Sequence, residues 1–240
     1  MMMLDVLITR LKPFARPLLA GAVGLGLTAL SLPPVGLSHW LGLGPMAAEG
    51  RKSIKAAELS ADDQQVLDRA SAYLNDMATL EALFNQIAPD GSTSDGQFTL
   101  QRPGKMRFEY REPTPLLVVA DGTWVIVYDK STNSTDRYPL GATPLDVILA
   151  PHVDLGKDML ITHVERRGGV DRIIGRDRDE PGKGEVTLVF NDSPMALRQW
   201  IVTDAQGLVT TISLDDLHPN VPVDPDRFIF TEPKTKRRAR

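Results

Sequence analysis

The sequence predicts an α+β protein, mainly antiparallel β, and three observations predict it. A single amphipathic helix opens the folded part of the chain at Ser60. From Leu80 onward the hydrophobic period is two, and it stays so almost to the C-terminus. Clusters of Gly, Pro, Asp, Asn and Ser cut that stretch into about eleven or twelve short strands at near-hairpin spacing. Such a run of hairpins must curl into a barrel, half-barrel or sandwich, because a flat sheet would leave long unpaired edges.

Taken from the N-terminus, residues 1–48 stand apart. Arg10, Lys12 and Arg16 precede residues 18–32, which carry no charge, and basic groups before a short apolar run read as an export signal. The run is shorter than the roughly 20 residues that span a bilayer. Residues 35–48 are also uncharged apart from His39. The segment is therefore a signal cut near Ala47 or after Ser31, or an uncut anchor. Residues 49–59 form a linker without an apolar face. Ser60 then opens the helix, with Asp63 completing a capping box and Asp62 and Asp63 favouring the positive end of the dipole. Its apolar stripe is Val66, Leu67, Ala70, Tyr73, Leu74 and Met77, which predicts about four turns.

Strands are expected at 80–87, 97–101, 106–110, 116–120, 124–128 and 135–140. Asp121-Gly122-Thr123 gives the clearest hairpin signal. Thr143-Pro144 places a cap and a proline at the start of a short helix through residue 150. Strands resume at 159–165, 170–176, 185–191, 196–203, 208–214 and 227–231. The domain thus runs from 60 to 233 and is followed by a basic tail, 234–240.

The formal net charge of −4 hides an asymmetry: the tail holds five basic groups and no acid, and residues 1–48 hold three basic groups and one acid. The body between them carries 19 basic groups against 30 acidic ones, which argues against a nucleic-acid partner. With no cysteine, disulfides and thiolate metal sites are excluded. His152, His163 and His218 fall in no metal-binding spacing, and neither a nucleophile elbow nor a phosphate-cradling glycine loop is present. No enzyme activity, cofactor or metal is expected.

What remains is the strand pair around Arg102. Phe98, Leu100, Met106, Phe108 and Tyr110 share one parity, while Lys105, Arg107, Glu109 and Arg111 take the other. One face is apolar and the other charged, as a half-buried sheet requires. Arg102 ends the apolar row, and a guanidinium there needs acceptors. The residues leave two readings open: an arginine capping a plain core, or a latch whose acceptors are free carbonyls on a covering helix or loop.

Three blocks in order resemble the bacterial lipoprotein-carrier family LolA. They are residues 96–108 (GQFTLQRPGKMRF), residues 116–128 with Asp121-Gly122-Thr123-Trp124 and Tyr128, and residues 223–233 (VDPDRFIFTEP), which look like the family's last strand. The resemblance covers the chain from the Ser60 helix to about Pro233. It implies an incomplete, half-open β-barrel with helices covering a concave apolar face. It further implies a monomeric periplasmic shuttle that takes triacylated lipoproteins from the ABC transporter LolCDE and delivers them to the receptor LolB or to the outer membrane directly. Arg102 falls on the family's lid-latch arginine. The implied acyl-chain positions are Phe98, Leu100, Met106, Phe108, Tyr110, Val118, Trp124 and Tyr128. Met106 departs from the usual aromatic residue, although a flexible thioether suits an adaptable site. A carrier of another lipid or glycolipid, or a lipoprotein-sensing regulator with the same half-barrel, fits the same pattern.

Overall fold

The computed structural model describes residues 55–143 and 146–233. The export segment, most of the linker, the tail, and Pro144 and Leu145 of the expected second helix lie outside these residues.

Helix α1 spans Ala61–Asp76. Ser60 caps it as the sequence predicts: its Oγ accepts from the Asp63 N–H at 3.1 Å, and the Asp63 carboxylate accepts the Ser60 N–H at 2.9 Å. Val66, Leu67, Ala70 and Leu74 form its buried stripe. Tyr73 is half-buried, and Met77 caps the C-terminal end as a buried residue. Flanking the stripe, Arg69 donates to Asp171 and to Asp192, each at 2.6 Å. Asp171 is 2% exposed, so this pair ties α1 to the sheet through a desolvated carboxylate.

The eleven strands are β1 Thr79–Ile87, β2 Thr93–Gln101, β3 Lys105–Tyr110, β4 Leu116–Asp121, β5 Trp124–Asp129, β6 Ser134–Pro139, β7 Met159–Arg167, β8 Val170–Asp177, β9 Gly184–Asp192, β10 Met195–Asp204 and β11 Val209–Pro219. They form one antiparallel sheet in the order β6-β5-β4-β3-β2-β1-β11-β10-β9-β8-β7. Two arms of consecutive hairpins are thus joined by the pairing of β1 with β11. The edge strands β6 and β7 do not pair with each other, so the sheet is not closed into a barrel. This is the mainly antiparallel, half-open α+β fold that the sequence predicts.

The curl can be read from ring contacts. Phe108 on β3 and Trp200 on β10 are four strand positions apart, about 19 Å in a flat sheet at ~4.8 Å per step. Their ring centroids lie 5.9 Å apart, and Phe98 on β2 meets the same indole at 5.7 Å. Bulges at Glu81/Leu83, Leu197/Gln199 and Ile161/His163 help the strands bend. Gly96 belongs to the same concave face: a Cβ there would sit 2.1 Å from the Glu109 carbonyl oxygen and 2.8 Å from the Phe84 ring. The Phe84 ring fills that space and meets Tyr110 edge-on at 4.9 Å.

Because β6 and β7 are opposite edges, the chain between them must travel from one side of the sheet to the other. It does so as a 3-10 turn Leu140–Ala142, helix α2 Asp146–Leu149 and helix α3 Leu155–Asp158. Its apolar residues Leu140, Ile148, Leu149, Val153 and Leu155 join the core cluster, so the crossing passes over the concave face. Helix α3 was not expected, although Asp154 caps it by accepting the Lys157 N–H.

Strand boundaries differ where long-range pairing extends them: β2 starts at Thr93 because it pairs with Ile87, and β11 runs to Pro219 because it pairs with Leu80. One expected strand is corrected. Residues 227–231 form no strand; Pro225–Phe228 is a 3-10 turn capped by Asp224, and residues 229–233 follow without regular structure. Prolines at 222 and 225 lack the N–H a ladder needs. The segment instead lies across the convex face. Arg227 donates to Glu81 on β1 at 2.8 Å, the Arg227 carbonyl accepts from Arg107 on β3 at 3.2 Å, and Arg137 on β6 donates to Glu232 at 2.8 Å.

Gly96→Ala must displace either the Glu109 backbone or the Phe84 ring. It is expected to cost about 3 kcal/mol, read as a lowered denaturation midpoint at unchanged slope.

Candidate functional site: a latched lid over an apolar hollow

The concave face is lined from both arms. Phe98, Leu100, Met106, Phe108, Tyr110 and Val118 all project into it and are buried. Phe98 and Phe108 stack at a tilt with centroids 4.7 Å apart, and Phe84 meets Phe108 edge-on at 4.9 Å. Tyr110 donates its hydroxyl to Gln86 Oε1 at 2.7 Å, and burial pushes its phenol pKa above the usual range, so it stays a neutral donor.

Two of the eight expected cavity positions are corrected. Trp124 and Tyr128 lie on the convex face: Tyr128 packs with Leu117, Val119 and Phe230, and Trp124 is exposed. The reason is hairpin parity. The two-residue turn Gly122-Thr123 pairs Val118 with Val127 and Ala120 with Val125, so even positions of β4 face odd positions of β5. Val125 and Val127 therefore take the concave side. The longer turn between β2 and β3 pairs Leu100 with Met106, and parity there is kept.

Arg102 stands in that β2–β3 turn, at the edge of the hollow. Its guanidinium donates to the Ala150 carbonyl through Nε at 3.2 Å and Nη2 at 2.5 Å, with Asn75 Oδ1 at 3.4 Å. Ala150 directly follows α2, so the acceptor is a carbonyl at a helix C-terminus, which favours a cation. The partners are neutral, and burial holds the guanidinium below its ordinary pKa. Next to it the Gly104 N–H donates to the Leu149 carbonyl at 2.9 Å. Gly104 takes φ +77°, and a Cβ there would come within 2.8 Å of Gly122 Cα, so the turn admits glycine alone.

Further bonds along the lid were not legible in the sequence. Asn75, in the last turn of α1, donates to the Val153 carbonyl at 2.8 Å and accepts its N–H at 2.9 Å. Ser71 Oγ accepts from the Leu155 N–H at 3.1 Å. Arg178, beyond the end of β8, donates to the carbonyls of Gly156, Lys157 and Met159 at 3.0, 2.7 and 2.7 Å. One guanidinium thus holds the end of α2 and another the end of α3. The lid is fixed by a handful of polar bonds at its backbone while its side chains fill the hollow.

The family is decided by a comparison of sequences: the model for "Outer membrane lipoprotein carrier protein LolA" matches residues 75–231, more than half of the chain. The chain belongs to the LolA family. Among similar proteins, the outer-membrane lipoprotein carrier protein of Halorhodospira halophila is 30% identical over 172 residues, covering 68% of this chain and 79% of its own. That of Chromobacterium violaceum is 26% identical over 188 residues, covering 75% and 90%. All eleven strands lie within the matched residues, as do Asn75 and Arg102.

Asn75→Ala leaves the Val153 N–H and carbonyl without their partner. It should cost about 2 kcal/mol locally, seen as roughly 30-fold faster amide hydrogen exchange at Val153 with α1 unaffected.

Proposed function

We propose that this LolA-family protein is a non-enzymatic periplasmic carrier, acting as a monomer, that holds the acyl chains of triacylated lipoproteins in the hollow beneath its lid. The observation that carries this reading is the arginine-held lid itself. A core meant only for stability has no need of a half-buried guanidinium that donates twice to one backbone carbonyl, that of Ala150, on a short covering segment.

The physical cycle is an exchange of apolar surface. In the closed form Ile148, Leu149, Val153 and Leu155 of the lid occupy the hollow, each side chain contributing about 1.5–3 kcal/mol by burial. Acyl chains replace those contacts at about 0.8 kcal/mol per methylene. The polar bonds at Arg102 and Gly104 oppose opening by a few kcal/mol more. Two or three long chains outweigh that sum, so loading opens the latch. Release then requires an acceptor with comparable apolar surface, and re-formation of the Arg102 bonds favours the emptied form. Cargo is taken from the transporter LolCDE and passed to LolB or to the outer membrane, with any energy input supplied by the transporter. Residues 1–48 act as the export signal or as an anchor.

Native mass spectrometry of the periplasmic protein, purified without detergent, tests the cargo. Bound triacylated lipoprotein is the expected result. A bound free lipid or glycolipid would replace this reading with a general lipid carrier. An empty protein that takes up nothing from inner-membrane vesicles supplied with ATP and transporter would refute carriage.

Arg102→Leu removes bonds made only in the closed form. Cargo should remain bound while its transfer to acceptor vesicles slows about tenfold or more, since each 1.4 kcal/mol shifts the balance tenfold. Transfer at the unaltered rate would sink the latch.

A further inference from the structure

The hollow is not lined by hydrocarbon alone. Trp200 on β10 is 2% exposed and meets Phe98 and Phe108 edge-on, yet its indole Nε1 has no hydrogen-bond partner among the described residues. Ser94 on β2 is 6% exposed, and its Oγ is likewise unpartnered. Ser94 shares the parity of Phe98 and Leu100, so it too faces the concave side. A buried donor without an acceptor is destabilising, and phenylalanine and alanine at these places would avoid the penalty. The two groups call for a ligand atom that accepts.

The donors are not scattered. Ser94 pairs with Gln86, Gln86 with Ile212 and Ile212 with Trp200, so both lie on one line across four strands. Between them Gln86 Oε1 is already taken by the Tyr110 hydroxyl at 2.7 Å. On β2 this polar belt lies at the end of the strand away from Arg102. Beyond it is a cleft of about 250 Å³ between the start of the crossing segment, at Gly141 and Val147, and the neighbouring ends of β8, β9 and β10. Its lining joins charged groups, among them Asp146, Arg176 and Glu185, to the buried Val202 of the core. Trp200 stands two residues from Val202 on the same face of β10, about 7 Å along the strand.

From the cleft inward the order is charged groups, Val202, the Trp200 N–H, and then the rings of Phe98 and Phe108. An acylated glycerol read from its head has the same order: polar group, carbonyl, hydrocarbon. We propose that the belt of Trp200 and Ser94 is a carbonyl-binding site, which donates to the ester or amide oxygens that join acyl chains to their head group. The head then lies in the cleft and the hydrocarbon among the rings, and two donors suit a cargo with more than one acyl linkage. This rests on the carrier reading and narrows it: the hollow selects acyl esters and amides over ether lipids of equal chain length.

Monomyristoylglycerol and its ether counterpart, tetradecylglycerol, differ only by the carbonyl. Their affinities are measured by titration calorimetry below their micelle concentrations, on the protein as it accumulates in the periplasm. The ester is expected to bind about tenfold more tightly, the equivalent of about 1.4 kcal/mol. In isotope-labelled protein the indole N–H resonance of Trp200, assigned by its loss in Trp200→Phe, should move downfield with the ester and stay in place with the ether. Trp200→Phe keeps an aromatic ring without the donor, so it should bring the two affinities to within about twofold of each other. A merely structural loss would weaken both and keep their ratio. Ser94→Ala removes an unpartnered hydroxyl, so its denaturation midpoint should not fall. Equal affinities in the unaltered protein, with the Trp200 resonance unmoved, would overturn the carbonyl site and leave acyl carriage standing. A preference for the ester that survives both variants would overturn it as well. Binding of neither lipid would overturn carriage and the site together, since no acyl chain then enters the hollow.

Discussion

Everything about the lid follows from one constraint of connectivity. The two arms of the sheet end at β6 and β7, which are its opposite edges. The chain that joins them has to cross a face, and the apolar residues at 140, 148, 149, 153 and 155 choose the concave one. A cover over the hollow is therefore no appendage; it is the connection that the topology demands. Such a crossing cannot be a ladder strand, so its backbone groups need partners from elsewhere. Arg102, Gly104, Asn75, Ser71 and Arg178 supply them from the elements around the rim.

Under the proposed carrier function, this division of labour lets one hollow serve both as a folded core and as a binding site. The sheet is held by its ladder and by the Arg69–Asp171 pair under α1, neither of which involves the crossing segment. The lid adds apolar contacts that any flexible hydrocarbon can imitate, and polar contacts that hydrocarbon cannot. In the proposed cycle, removal of the first is compensated by the incoming chain, whereas the second biases the protein toward the closed form.

Much of this was legible in the sequence, and the failures have physical causes. The Ser60 capping box, the alternating face around Phe98 and Met106, and the need of Arg102 for hydrogen-bond acceptors follow from local chemistry. Trp124 and Tyr128 were put on the wrong face although the information was present: a two-residue turn inverts parity between β4 and β5, whereas the turn at Arg102 preserves it. The segment 223–233 has strand-like composition, but Asp224-Pro225 starts a 3-10 turn there and its phenylalanines pack on the convex face instead. Trp200 and Arg178 could not be placed in the site from spacing, because their roles depend on the curl and on a crossing distant in sequence.

The pairing of β1 with β11 has a consequence for the order of events in a newly made chain. Within each arm, neighbouring strands are joined by short turns and can find one another locally and quickly. The seam between the arms matches Leu80 with Pro219 and Ile87 with Thr211, so it cannot form fully until Pro219 has been made. The first arm consequently waits with both edges, β1 and β6, unpaired and with an uncovered apolar face. A polypeptide in that condition faces a long exposure to aggregation until the seam closes its free β1 edge.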